Sequence, residues 1–163
     1  MGDCTMTSVM KVDSITKSDG TAGVHIAGHV IQTVFHSSAT VVTYSGSTMQ
    51  TFGMSKSFTP KFSDSIIWLI VTIAGEHYGY SDLGVRYYIN QDSTVLYDSQ
   101  YTHYHSSDSS QNISQHTMQW YGNAGSTSAR NYSVTFRPSN PSGTARVNNY
   151  GEPSYMTIME IAQ

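Results

Sequence analysis

The run from Ile66 to Ala74, IIWLIVTIA, limits the folds open to this chain more than any other segment. Side chains alternate between the two faces of an extended strand. Ile67, Leu69, Val71 and Ile73 therefore share one face, and Ile66, Trp68, Ile70, Thr72 and Ala74 share the other. Both faces are apolar and both require cover. An antiparallel sandwich covers one face of each sheet, which leaves the second to another subunit, another layer or a local lid. Leaving Ile66, Trp68 and Ile70 in water would forgo on the order of 5 kcal/mol, comparable with the net stability of a whole domain. The expectation is association through this strand. The competing expectation is a central strand capped by the protein's own loops.

From residue 29 onward the chain reads as strand after strand. His29 to Phe35, Thr40 to Tyr44, Thr48 to Phe58, Ser65 to Ala74, Val85 to Asn90, Thr94 to Tyr97, Ile113 to Tyr121, Arg130 to Phe136, Thr144 to Val147 and Tyr155 to Ile161 are β-prone, with Gly, Pro, Asn and Ser between them. Asn90 to Ser93 suits a hairpin link. In Arg130 to Phe136, Tyr132, Val134 and Phe136 oppose Asn131, Ser133 and Thr135, the pattern of a strand with one wet side. In the last strand Tyr155, Thr157, Met159 and Ile161 oppose Met156, Ile158 and Glu160. Met156 and Ile158 are grouped with Ile66, Trp68, Ile70 and Thr72 as the expected oligomer interface. Glu160, the lone charge there, is expected to be paired at an edge or interface rather than catalytic.

Short, evenly spaced strands without a helical period describe an all-β, antiparallel jelly roll or β-sandwich of about eight to nine strands. No repeat of solenoid length is present. Residues 1–28 differ from the rest: the β-prone pieces Val12 to Thr16 and Val24 to Ile26 flank a turn at Ser18-Asp19-Gly20, with too few apolar groups for a core of their own. They are expected to form an extended anchoring arm whose apolar contacts are Val12, Ile15, Val24 and Ile26, ahead of a single domain over 29–163. The alternative is a disordered terminus.

Composition excludes several functions. Charged residues make up 12% of the chain, the net charge is -3 and the basic residues are scattered, which argues against nucleic acid as a partner. The longest apolar run is about half of a transmembrane helix, so no membrane partner is expected. The N-terminus lacks the pattern of a secretion signal. Cys4 stands alone and forms no intrachain disulfide.

The residues also supply little chemistry. Asp64, Glu76, Asp82, Asp92 and Asp98 are dispersed rather than paired, no nucleophile elbow precedes a helix, and Gly20 to Gly23 lacks the lysine and helix of a phosphate loop. No enzyme activity, catalytic residue or cofactor is expected. His103 and His105, two apart in an extended stretch, would point the same way and offer two imidazoles to one metal, or act as a pH-sensitive contact near a symmetry axis. The competing reading is solvent-facing loop histidines and no metal. Tyr78, Tyr80, Tyr87, Tyr88, Tyr97, Tyr101 and Tyr104 form a sugar-stacking surface or simply furnish strands and subunit contacts.

Two end motifs carry a resemblance. MKVDSITKSDGTAGVHI, Met10 to Ile26, resembles the lead-in of structural proteins from phages of cyanobacteria and other aquatic hosts, including fibre-like and head-decorating proteins. SYMTIMEIAQ, Ser154 to Gln163, is similar to the strand that closes many of their jelly-roll domains of the complement C1q or tumour-necrosis-factor type. The two motifs cover 27 of the 163 residues. The resemblance implies a homotrimer on a virion, assembled in the host cytoplasm, with the arm on the major capsid protein or another virion protein. It implies an outer capsid decoration or cement protein, or alternatively a fibre-tip module that recognises a receptor or host surface glycan. The His103 and His105 pair resembles the iron motif of some phage tail-fibre tips. The chain departs from long fibres in having no repetitive shaft.

Overall fold

Strands with one dry side fold by laying their dry sides together, and the computed structural model, which describes residues 26–78, 83–100, 102–105 and 112–163, has that arrangement. The strands are β1 (Val30–Ser38), β2 (Val42–Tyr44), β3 (Gln50–Phe58), β4 (Ile66–Tyr78), β5 (Leu83–Gln91), β6 (Thr94–Asp98), β7 (Thr102–His105), β8 (Asn112–Asn123), β9 (Arg130–Pro138), β10 (Thr144–Val147) and β11 (Ser154–Ile161). All pairings are antiparallel.

The first sheet runs β1-β11-β4, with β8 on the far side of β4 and β10-β2 beside its second half. The second runs β3-β9-β5-β6, with β7 also pairing β5. The long strands cross between the sheets in chain order, and the first pairs with the last. That connectivity is a jelly roll. The strand count exceeds the eight to nine expected, in part because Thr102–His105 also pairs with β5. β4 also continues past Ala74, where Gly75 and Glu76 look like a stop in sequence. It extends because β8 and β10 flank that portion and satisfy its backbone groups.

The core lies between the sheets. Ile67, Leu69, Val71 and Ile73 of β4 meet Phe52 and Met54 of β3, Val85, Tyr87 and Ile89 of β5, and Tyr132, Val134 and Phe136 of β9. Phe52 and Phe136 pack edge to face at 5.8 Å. The wet-and-dry alternation of β9 is as expected. The β5–β6 link is a tight turn with Asp92 in a left-handed conformation (φ 53). Its Oδ1 accepts from the Asn131 N–H at 3.0 Å, which ties the turn to β9.

One edge of the sandwich is closed by side chains. Gln32 Nε2 donates to the Thr59 carbonyl at 2.8 Å, His36 Nε2 to the Gly53 carbonyl at 2.9 Å, and Ser38 Oγ to the Phe52 carbonyl. β1 is thereby stitched to the backbone around β3.

Glu160 is neither at an edge nor at an outer face: it points inward and is fully buried. Its carboxylate accepts from the N–H groups of Lys61 and Phe62, both at 2.9 Å, from Ser65 Oγ at 2.7 Å and from Gln32 Nε2 at 2.6 Å. Burial, the largest single influence, would raise its pKa. The hydrogen bonds from Lys61, Ser65, Phe62 and Gln32 together outweigh it and hold the group below its ordinary value. The charge serves to tie down the turn between β3 and β4.

Candidate association face

The outer side of the first sheet is built from the second face of β4. Trp68 has Met159 of β11 on one side and Tyr121 of β8 on the other. Ile66 lies between Ile161 and Asn123, Ile70 between Thr157 and Gln119, and Thr72 between Tyr155 and Thr117; the Thr72 and Thr117 hydroxyls are 3.1 Å apart. β1 adds Phe35 beside Thr157. Ile66, Trp68, Ile70 and Thr72 are half-buried by these neighbours. Phe35 and Tyr121 are each 73% exposed and Tyr155 is 53% exposed.

Two expected interface residues do not belong to this face. Met156 pairs with Val71 and Ile158 with Leu69, and directly opposed residues in a ladder point to the same side. They are therefore core residues, 1% and 0% exposed. The outward residues of β11 are Tyr155, Thr157, Met159 and Ile161, which sequence reading placed on the opposite side.

A local lid does exist, and it is partial. The segment Asn149–Gly151 and Glu152 lie over Ala74 and Gly75, together with Ile113. Asn149 Nδ2 donates to the buried Glu76 carboxylate, and Arg146 Nη1 approaches it at 3.6 Å. Asn148 reaches the Ala74 carbonyl through its backbone N–H at 2.8 Å. The outer face of β4 is thus divided: Ala74 to Glu76 are roofed, whereas Ile66 to Thr72 are left with their strand neighbours.

The second sheet differs in character. Ser55 pairs with Ser133, Ser57 with Asn131, and Arg86 with Arg137, all on its outer side. Arg86 forms an ion pair with Asp98, and Arg137 Nε donates to Tyr88 Oη at 2.9 Å. Burial, the largest influence on Asp98, would raise its pKa, but the Arg86 and Gln100 hydrogen bonds, with Arg86 and Arg137 nearby, lower it. The molecule is sided: one sheet shows water mainly hydroxyls, amides and charges, and the other shows it Ile, Trp, Met, Phe and Tyr set among Thr, Gln and Asn.

The remaining candidates fare unevenly. Tyr87 is in the core and Tyr88 is covered on the polar side, so neither belongs to an open stacking surface. Tyr80, Tyr101 and Asp82 lie outside the described residues, as do Val12, Ile15 and Val24 of the arm. Ile26 is described and is 48% exposed. His103 and His105 lie on β7 beside β5, and their side chains are outside the described set. Among the described residues no group of three or more His, Cys, Asp and Glu side chains is arranged to hold a metal.

No protein-family model matches the chain, and no curated protein matches it. Among solved structures, dimeric latent PorU from Porphyromonas gingivalis is similar at 8% identity and a TM-score of 0.46, over 91% of this chain and 14% of that one. The infectious bursal disease virus VP2 subviral particle is similar at 11% identity and a TM-score of 0.41, over 82% of this chain and 38% of that one. The chain spans well under two thirds of either protein. Neither score reaches 0.5, and no role passes from either to this chain.

Proposed function

We propose that this chain is a non-enzymatic structural protein of a virion surface: an outer capsid decoration or cement protein of a phage, trimeric through the outer face of its first sheet. The observation that carries this reading is the sidedness of the sandwich. A face rich in large apolar side chains opposite a polar one suits a subunit that meets copies of itself on one side and solvent on the other. The motifs at Met10 to Ile26 and Ser154 to Gln163 support the virion setting and the threefold assembly. The described buried carboxylates support a structural role, since Glu160 and Glu76 hold a turn and a lid. The arm engages the major capsid protein or another virion protein.

Immunogold labelling of intact particles, combined with light scattering of the purified protein, tests the proposal. Labelling over the capsid and a mass three times the 17.9 kDa chain are expected. Adsorption of the pure protein to host cells or to a glycan array would favour the fibre-tip alternative. Absence from particles would sink both.

A further inference from the structure

A strand at the rim of a sheet leaves a row of backbone N–H and C=O groups pointing outward, ready to accept another strand. Proteins blunt such rims with bulges, charges, proline or short length. Most rims of this sandwich are blunted. β2 has three residues and β6 has five. β3 carries a register shift around Gly53 and the charge of Lys56. β1 shifts register between Val30 and Gln32, and its side chains are tied to the backbone around β3.

β8 is different. Among the described residues it pairs only with β4, over twelve consecutive positions with no shift. Between Asn112 and Asn123 there is no proline and no Lys, Arg, Asp or Glu. Its outward row, Ile113, Gln115, Thr117, Gln119 and Tyr121, is exposed throughout.

That row is also symmetric about its middle. Ile113 and Tyr121, 52% and 73% exposed, stand four residues either side of Thr117, and Gln115 and Gln119 stand two either side. An antiparallel mate turned about a twofold axis at Thr117 therefore sets Ile113 against Tyr121, Gln115 against Gln119 and Thr117 against its own copy. Aromatic with β-branched and Thr with Thr are favourable opposed pairs. A shift of two residues would lose both, since Ile113 would then face Asn123 or Gln119. A shift of one would set outward side chains against inward ones. With no charged side chain in the strand, two copies meet without like-charge repulsion across the axis.

We propose that the free rim of β8 is a docking edge for a second copy of this chain, whose β8 adds antiparallel about Thr117 and joins the two first sheets into one. The contact lies in the plane of the sheet and leaves Trp68, Ile70 and Phe35 untouched, so it stands or falls apart from the association reading. Backbone bonds between copies replace bonds to water, a small net gain for each. The pair therefore forms where copies are concentrated and parts on dilution.

The test uses the full chain with Cys4→Ser. Adding Thr117→Cys puts one thiol of each copy at the axis, and mild oxidation at high protein concentration is expected to give a disulfide-linked dimer as the main product. Gln115→Cys alone and Gln119→Cys alone should stay unlinked, because each lies roughly 13 Å along the strand from its own copy, beyond disulfide reach. Mixed together, these two should link to each other. Adding Ile70→Asp, which addresses the outer face, should leave the Thr117→Cys dimer in place. An unlinked Thr117→Cys protein, linking that ignores this register, or loss of the dimer with Ile70→Asp would overturn the proposal. Hydrogen exchange of the chain without cysteine changes guards against a variant that misfolds. Its β8 amides should exchange more slowly as concentration rises, and Thr117→Lys, which sets two ammonium groups against each other, should abolish that dependence. Exchange that is fast at every concentration, or slow at every dilution because another segment fills the rim, would equally overturn it.

Discussion

Met159 stands directly opposite Trp68, and both point away from the core, while their chain neighbours Ile158 and Leu69 form the adjacent pair that points into it. Two apolar pairs, one ladder step apart, thus face opposite sides of the same sheet. The inner pair answers to folding, and the outer pair lies on the face proposed for association.

Ile70 lies in the middle of the outer pairs, between Thr157 and Gln119. Ile70→Asp places a carboxylate where a neighbouring copy would bury it, at a cost of several kcal/mol for an unpaired charge. Sedimentation equilibrium should fall from a multiple of 17.9 kDa to the single chain. Ser133→Asp on the polar sheet should leave the mass alone. An Ile70→Asp protein of unchanged mass would rule out this face as the interface.

Ile158→Ala should lower stability by about 2–5 kcal/mol, because it empties space in a core whose sheets are already in contact. The assembled mass should stay as it is. Phe35→Ala should do the reverse, weakening association with little change in the urea midpoint of the dissociated chain. Equal effects of the two changes on both quantities would contradict the division between the faces.

Glu160→Gln should cost roughly 1.5–3 kcal/mol, the scale of hydrogen bonds to a charged group. An amide presents N–H groups toward the Lys61 and Phe62 N–H groups, so donors face donors. The wild-type contribution also carries a pH signature. The folded carboxyl lies below its ordinary value of 4.5, so its stabilisation is complete above that value and is lost as pH falls through the folded pKa. Urea titrations at pH 7 and at a series of values below 4.5 should show the two proteins converging in acid.

Gly53 holds a left-handed conformation (φ +79) where the β3–β9 register shifts, and a Cβ there would sit 2.8 Å from Ser38 Oγ. Gly53→Ala should destabilise by about 1–2 kcal/mol through backbone strain alone. It should also weaken the Ser38 bond to Phe52 that helps stitch β1 to β3. Thermal unfolding will register the loss, and an unchanged midpoint would argue against the bulge.

Wherever one side of a strand was plainly wetter, sequence was a sufficient guide. Asn131, Ser133 and Thr135 left Tyr132, Val134 and Phe136 no choice but the core. β11 offered no such contrast, since Met and Ile occur on both sides, and the single charge pointed the wrong way. Glu160 is inside because the turn after β3 supplies the donors that a buried carboxylate needs, and those donors are about a hundred residues away in the chain. The tyrosine cluster misled for a related reason: Tyr87 and Tyr88 are adjacent in sequence, but strand alternation sends one into the core and the other under Arg137.

By itself, the sequence determined that the chain is all-β, where most strands run and that β4 is apolar on both sides. Those properties follow from side-chain alternation along each strand, which is local geometry. Only the tertiary structure decided which face of β11 is dry, how far the lid reaches along β4 and that the apolar side belongs to one sheet alone. Such choices depend on register and on distant partners, and a slip of one residue in pairing would exchange inside for outside along the whole strand.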